Sequence, residues 1–278
     1  MKKTFLHFAM LFAASMMVFS ACEPEEKPDD NGGLKDPTEQ PGGNENENPG
    51  NENENPGGNE NENPGGNQGG TTDDEYPSLN GTEYVTIALD EYTTAALGSK
   101  VKASYQLDDV NVFLYVWENT YLAGTPSGLN FYGEAAGWSS LVVGNVGWSG
   151  AGWCVTNPEY VPAFVDSTSD LSNWYFHIGY KGAANVAHIV ILYWQGGEYK
   201  FAIGQGSLAD AGVTYTALAP TSGTFQPNVW NEYEVCLADT GFNYAADNTT
   251  PKANLAAFLS GGVAGTTIDV DAVFFYKK

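Results

Sequence analysis

From Tyr84 to the C-terminus the chain repeats one pattern: a short run rich in Thr, Val, Tyr, Phe and Trp, alternating in polarity, then a gap of Gly, Asn, Asp or Pro. Successive side chains of a strand point to opposite faces, so period-two alternation specifies half-buried β-strands. The runs place strands near Tyr84–Leu89, Lys100–Leu107, Val110–Trp117, Ser139–Val143, Gly152–Thr156, Asn173–Lys181, Ala187–Trp194, Glu198–Ile203, Val229–Ala238, Asn254–Leu259 and Thr267–Tyr276. No long run carries a convincing helical period, and Pro251–Ser260 comes nearest to one. Many short strands with turn signals between them predict an all-β fold, a two-sheet antiparallel β-sandwich of jelly-roll type. The missing helices exclude a Rossmann fold or an α/β barrel. A propeller is excluded by the absence of a repeat of about 40 residues.

Parity sorts the faces. In Asn173–Lys181, Trp174, Phe176, Ile178 and Tyr180 share one face, and Tyr175, His177, Gly179 and Lys181 share the other. In Val110–Trp117, Val110, Val112, Leu114 and Val116 oppose Asn111, Phe113, Tyr115 and Trp117. In Val229–Ala238, Trp230, Glu232, Glu234 and Cys236 oppose Asn231, Tyr233, Val235 and Leu237. One face is thus apolar and the other mixes rings with polar groups. Such a mixture suits a sugar: a ring stacks on the C–H face of a pyranose while carboxylate, amide, His and Lys groups bond its hydroxyls. Most rings of a sandwich this large are nevertheless expected in its core.

The densest cluster of rings lies between Asn130 and Thr156, in Gly137-Trp138-Ser139, Gly147-Trp148-Ser149-Gly150 and Gly152-Trp153-Cys154. A preceding Gly lets the backbone turn and present a large ring on a loop or strand end. Trp148, bracketed by Gly147 and Gly150, is the first choice for a stacking ring, with Trp138 and Trp153 beside it. Trp117, Tyr175 and His177 would line the sheet face, with Glu118 and Lys181 bonding hydroxyls.

Charge narrows the partners. The chain has 34 acidic residues against 11 Lys and no Arg, for a net charge of -23. Sixteen of the acids lie in residues 23–75, which leaves 18 against 7 Lys beyond residue 75, a balance of -11. Nucleic acid and anionic membrane surfaces, which need clustered cations, are poor partners.

The N-terminus reads as an address. Met1-Lys2-Lys3 precedes an apolar stretch from Phe5 to Phe19, too short for a comfortable membrane span and suited to a cleaved signal. It ends in Phe19-Ser20-Ala21-Cys22, which resembles the lipobox of bacterial lipoproteins. That resemblance implies lipidation of Cys22, a signal peptide over residues 1–21 and anchoring in the outer membrane. Glu23, Pro24, Glu25 and Glu26 follow, a start similar to the surface-export signal of Bacteroidota lipoproteins. Residues 22–75 then repeat Pro, Gly, Asn and Glu, with restarts at Pro41, Pro49, Pro56 and Pro64. Almost no side chain there can bury, so the segment reads as a disordered tether. As a flexible coil it spans roughly 40 Å rms, and about 180 Å at full stretch. Residues 76–278 form the third region, the sandwich.

Other chemistry finds little support. A glycosidase needs two carboxylates about 5–10 Å apart. Of Glu118, Glu134, Glu232 and Glu234, only Glu232 and Glu234 share a strand face, at roughly 7 Å, a spacing any strand with two acids provides. His188 sorts with Val190 and Leu192 and is expected to be a satisfied buried or edge residue rather than a base. The sequence holds no HExxH and no Gly-x-Ser-x-Gly. Cys154 and Cys236 leave their pairing open.

Lipobox, acidic start, tether and aromatic sandwich together resemble the surface glycan-binding lipoproteins of Bacteroidota polysaccharide-utilisation systems. The strand Thr267–Phe275 is similar to the closing strand of galactose-binding-like jelly rolls, as in many carbohydrate-binding modules, and Val229–Val235 resembles another of their strands. The resemblance implies a non-catalytic protein that binds a polysaccharide or oligosaccharide and passes it to an outer-membrane importer or a neighbouring hydrolase. It implies no cofactor beyond a structural calcium ion held by Asp271, with Asp269 second. A jelly-roll glycoside hydrolase or lyase using Glu232 and Glu234 is the first alternative, and an adhesive or structural surface module the second.

Overall fold

A computed structural model describes residues 76–105, 112–135, 137–144, 148–155, 161–249, 254–260 and 263–278. The signal segment, Cys22 and the tether lie outside these residues. The described strands are β1 (Glu83–Ala88), β2 (Val101–Ser104), β3 (Val112–Val116), β4 (Tyr121–Ala123), β5 (Ser139–Val143), β6 (Ser149–Val155), β7 (Trp174–Gly182), β8 (Ala187–Trp194), β9 (Gly197–Gly204), β10 (Ser207–Asp210), β11 (Val213–Thr216), β12 (Asn231–Cys236), β13 (Asn254–Ser260) and β14 (Thr267–Lys277). A short helix, α1 (Glu91–Leu97), follows β1. Asp90 caps it by accepting from the Thr93 amide at 2.8 Å.

Two sheets face each other, as the alternation predicts for a jelly-roll sandwich. The larger has seven strands in the order β12-β7-β14-β1-β2, with β5 joined to β14 and β4 to β5. The smaller has five, in the order β3-β6-β13-β8-β9. A hairpin of β10 and β11 forms a separate two-stranded sheet. Pairings are antiparallel except that of β1 with β2. Strand β14 organises the larger sheet: it pairs along its length with β7, through its first half with β5 and through its second half with β1.

The core fills the space between the sheets. Trp174, Phe176, Ile178 and Tyr180 enter it from β7, and Tyr233 and Val235 from β12, with Trp153, Leu192, Phe201 and Phe258 facing them from the smaller sheet. Phe176 meets Phe201 across the gap at 6.1 Å between ring centroids, and Trp153 meets Phe258 at 5.4 Å. Burying each such side chain contributes about 1.5–3 kcal/mol relative to leaving it in water. His188 departs from expectation. It is fully buried with Val190 and Leu192, but neither ring nitrogen has a partner among the described residues. Burial therefore drives its pKa down to about 4.

The outer face of the larger sheet is partly roofed. Tyr84, Phe274 and Tyr276 point outward and are covered by Leu89, Leu97 and Tyr132, with Tyr76, Leu79 and Phe131 packed alongside. A third, smaller cluster lies on the outer face of the other sheet, where Ile189, Ile191 and Tyr193 meet Trp117, Leu208 and Tyr215.

Candidate functional site

Four adjacent strands bring one row of side chains to the open end of the larger sheet's outer face. Asp269 of β14 pairs in register with Ser140 of β5 on one side and Lys181 of β7 on the other. Asn231, the first residue of β12, pairs with Tyr180, which sets Trp230 beside Lys181. The parity that sends Tyr180 and Val270 into the core sends Lys181 and Asp269 outward.

Lys181 stands at the centre. Its Nζ lies 2.9 Å from Asp269 Oδ2 and donates to the Ser127 carbonyl at 3.2 Å. It lies 4.9 Å from the Trp230 ring centroid and 5.8 Å from that of Trp138. The two indoles meet edge to face at 6.5 Å and 88°. Trp230 is fixed by its Nε1, which donates to the Leu129 carbonyl at 2.9 Å, and by Phe131 at 6.3 Å. Leu129 and Val229, both about half exposed, border the rings. The cluster thus offers half-buried ring faces beside a cation and a carboxylate that neutralise each other, apolar contact with hydrogen bonding in reach.

A buried polar layer lies next to it. Asp271 Oδ2 accepts from the Phe131 amide at 2.9 Å. Burial, opposed by the Phe131 and Ala272 amides and reinforced by Asp90, pushes the Asp271 carboxyl up to about 7. His177 stacks on Phe274 at 4.4 Å and 5°. Its Nδ1 lies 2.6 Å from the Ala272 carbonyl and its Nε2 2.8 Å from Glu232 Oε1. Burial pushes the Glu232 carboxyl up, but the bond and charge of His177, with Ser78 and Lys278, bring it below the usual carboxylate range.

Of the residues expected to bind a glycan, Trp138 and Lys181 come together here. Tyr175 lies elsewhere on the same sheet, half-buried with the Lys278 ammonium 4.0 Å from its ring centroid. Two expectations are corrected. Trp153 is sealed in the core by Phe258 and the facing sheet, so no sugar can reach its ring. His177 points outward as parity required, but Phe131 and Phe274 enclose it and it has no exposure. Trp148 stands at the start of β6, 39% exposed, and Trp117 packs on the outer face of the smaller sheet against Ile189 and Ile191. Glu118, beside Trp117, is exposed in a left-handed conformation with φ 49°. These residues form no single platform with Trp138.

Asp269 faces the Lys181 ammonium, and among the described residues no three His, Cys, Asp or Glu side chains gather as metal ligands. No disulfide joins Cys154 of β6 to Cys236 of β12. Glu232 is held by His177, and Glu234 is held by the Tyr276 hydroxyl and, at 2.6 Å, by Lys278 Nζ. Trp230 and the role of Asp269 as partner to Lys181 were missed from sequence, although parity had already placed Trp230 on the outward face.

No family model matches the chain, and no curated protein matches it. Among solved structures it is similar to a family 30 carbohydrate binding module at 12% identity and a TM-score of 0.34, over 59% of this chain and 87% of that one. It is similar to the family 11 module of the cellulosomal cellulase Lic26A-Cel5E of Clostridium thermocellum at 10% identity and a TM-score of 0.34, over 61% and 89%. TmCBM61, in complex with β-1,4-galactotriose, matches at 12% identity and a TM-score of 0.29, over 60% and 88%. Likenesses this distant transfer neither ligand nor site.

Proposed function

We propose that this protein is a non-catalytic glycan-binding protein of the cell surface, which captures a polysaccharide or oligosaccharide and presents it for uptake or degradation. The observation that carries the reading is the pair of indoles, Trp138 and Trp230, set around the Lys181–Asp269 ion pair on an outward sheet face. Partly exposed rings beside balanced hydrogen-bonding groups are what a pyranose requires. That Glu232 and Glu234 are each held by neighbouring side chains supports binding rather than hydrolysis.

The address rests on sequence. A lipid on Cys22 would anchor the chain in the outer membrane, and the acidic repeat through residue 75 would hold the sandwich off the surface, facing outward, near an importer or a hydrolase. Radiolabelled palmitate should label the wild type and not Cys22→Ser, which should leave the membrane fraction.

Affinity gel electrophoresis against a panel of polysaccharides tests the binding. Retardation by at least one glycan is expected, falling tenfold or more in affinity for Trp230→Ala. A panel that retards nothing removes the proposal.

A further inference from the structure

Among the described residues, three polar atoms of this site have no hydrogen-bond partner: Trp138 Nε1, Asp269 Oδ1 and Ser140 Oγ. Asp269 is 6% exposed and Ser140 9%, and the two are direct cross-strand neighbours. A buried donor or acceptor without a partner is costly, and such atoms are rare in a folded protein unless water or a ligand completes them. Here one donor, one acceptor and one hydroxyl, on Trp138 and on the paired residues Asp269 and Ser140, lie around the Lys181 ammonium, which donates to the Ser127 carbonyl.

The electrostatics of the row select among sugars. The charge of Lys181 is matched by Asp269 at 2.9 Å, so the site holds no net positive charge. The next outward residue of β14 is another acid, Asp271. Recognition of a carboxylate or sulfate favours a planar guanidinium or an unpaired ammonium, and the chain contains no Arg at all. An anionic sugar would bring its charge against Asp269 inside a sandwich that is already acidic. A hydroxyl pair can instead donate to Asp269 Oδ1 and accept from Lys181 and Trp138.

Resting on the glycan-binding reading above, we propose that the ligand is a neutral glycan, its hydroxyls completing Asp269, Trp138 and Ser140, and that uronic-acid and sulfated chains are rejected through Asp269. The experiment is affinity electrophoresis of the full chain in gels containing hydroxyethylcellulose, galactan, xylan or mannan, or else polygalacturonate, alginate or carrageenan, at low salt and in 0.5 M salt (about a 4 Å Debye length). The expected result is retardation by at least one neutral polymer, unchanged by salt, and none by the anionic polymers. Asp269→Asn leaves Lys181 unpaired. With the fold confirmed by near-ultraviolet circular dichroism, this variant should lose tenfold or more in affinity for the neutral polymer and gain salt-sensitive retardation by polygalacturonate. Trp230→Ala should lose the neutral polymer without that gain. Salt-sensitive retardation of the wild type by an anionic polymer overturns the inference and leaves glycan capture standing. Retardation by no polymer of either class overturns both.

Discussion

What surrounds an indole decides what it can do, and the three Gly-Trp dipeptides end in three different settings. Trp153 lies on the inward side of β6, where Phe258 and the facing sheet enclose it completely. Trp138 precedes β5 and is half-buried against Trp230 and the Lys181 ammonium. Trp148 precedes β6 and keeps 39% of its surface. The shared Gly gave all three the same local freedom, and strand parity with tertiary contact separated them. Collisional quenching follows exposure, so acrylamide should quench the native emission measurably less in Trp148→Phe than in wild type. Trp153→Phe, with matched emission corrections, should leave the quenchable fraction unchanged or raise it. The opposite order would contradict the burial assigned to these rings.

At the level of elements, alternation carried most of the fold. The faces of β7 and β12 sort as parity required, with Trp174, Phe176, Ile178, Tyr180, Tyr233 and Val235 in the core. Missed were α1, β4, β10 and β11, elements of three to seven residues whose patterns are too short to show a period. The Pro251–Ser260 stretch, nearest to a helical period by sequence, contributes β13 where the strand Asn254–Leu259 was expected, its small apolar residues fitting between β6 and β8. The site was legible in part: parity showed which side chains point outward but not which are roofed. Phe131 covers His177, and the contact is fixed by the bond that the Phe131 amide donates to a residue 140 positions away, Asp271. Strand β14 holds a feature that no alternation reveals. Its register with β7 shifts between Asp271 and Phe274, and Ala272 there takes a left-handed φ of 51°. This bulge lets Val270 and Val273, three apart, both face the core while Asp271 and Phe274 face outward. A β-branched residue is strained in that conformation. Ala272→Val should therefore lower stability by about 2 kcal/mol or more, while Ala272→Gly should stay within about 1 kcal/mol of wild type. Urea unfolding midpoints of the two variants check this, and equal losses would refute the bulge as the cause.

For the molecule as a whole, two buried titratable groups pull the pH dependence of stability in opposite directions. The His188 pKa falls from 6.5 to about 4, so between those values the unfolded chain holds a proton that the folded chain refuses. Its contribution makes stability rise with pH across that window. The Asp271 carboxyl moves from 3.8 to about 7, so between those values the folded chain keeps a proton that the unfolded chain has lost. Its contribution is full below the lower value and is lost as pH climbs to the upper one. Each slope approaches one proton, about 1.4 kcal/mol per pH unit, and between about pH 4 and 6.5 the two nearly cancel. Glu232, lowered on balance by His177, contributes stability that is lost only at more acid pH. The wild type should thus show a flat stability profile from these two groups, and single substitutions should unmask the slopes. Relative to wild type, Asp271→Asn should gain stability as pH rises from 4 to 6.5, because the opposing limb is gone. His188→Leu, which also removes two unpartnered ring nitrogens, should lose stability relative to wild type over the same interval. Urea unfolding at half-unit steps of pH gives each difference directly, with the other carboxylates common to both proteins and removed by subtraction. Difference curves that stay level would mean that neither burial shifts a proton. Curves of the same sign would mean that one of the two groups is not in the environment the fold assigns it.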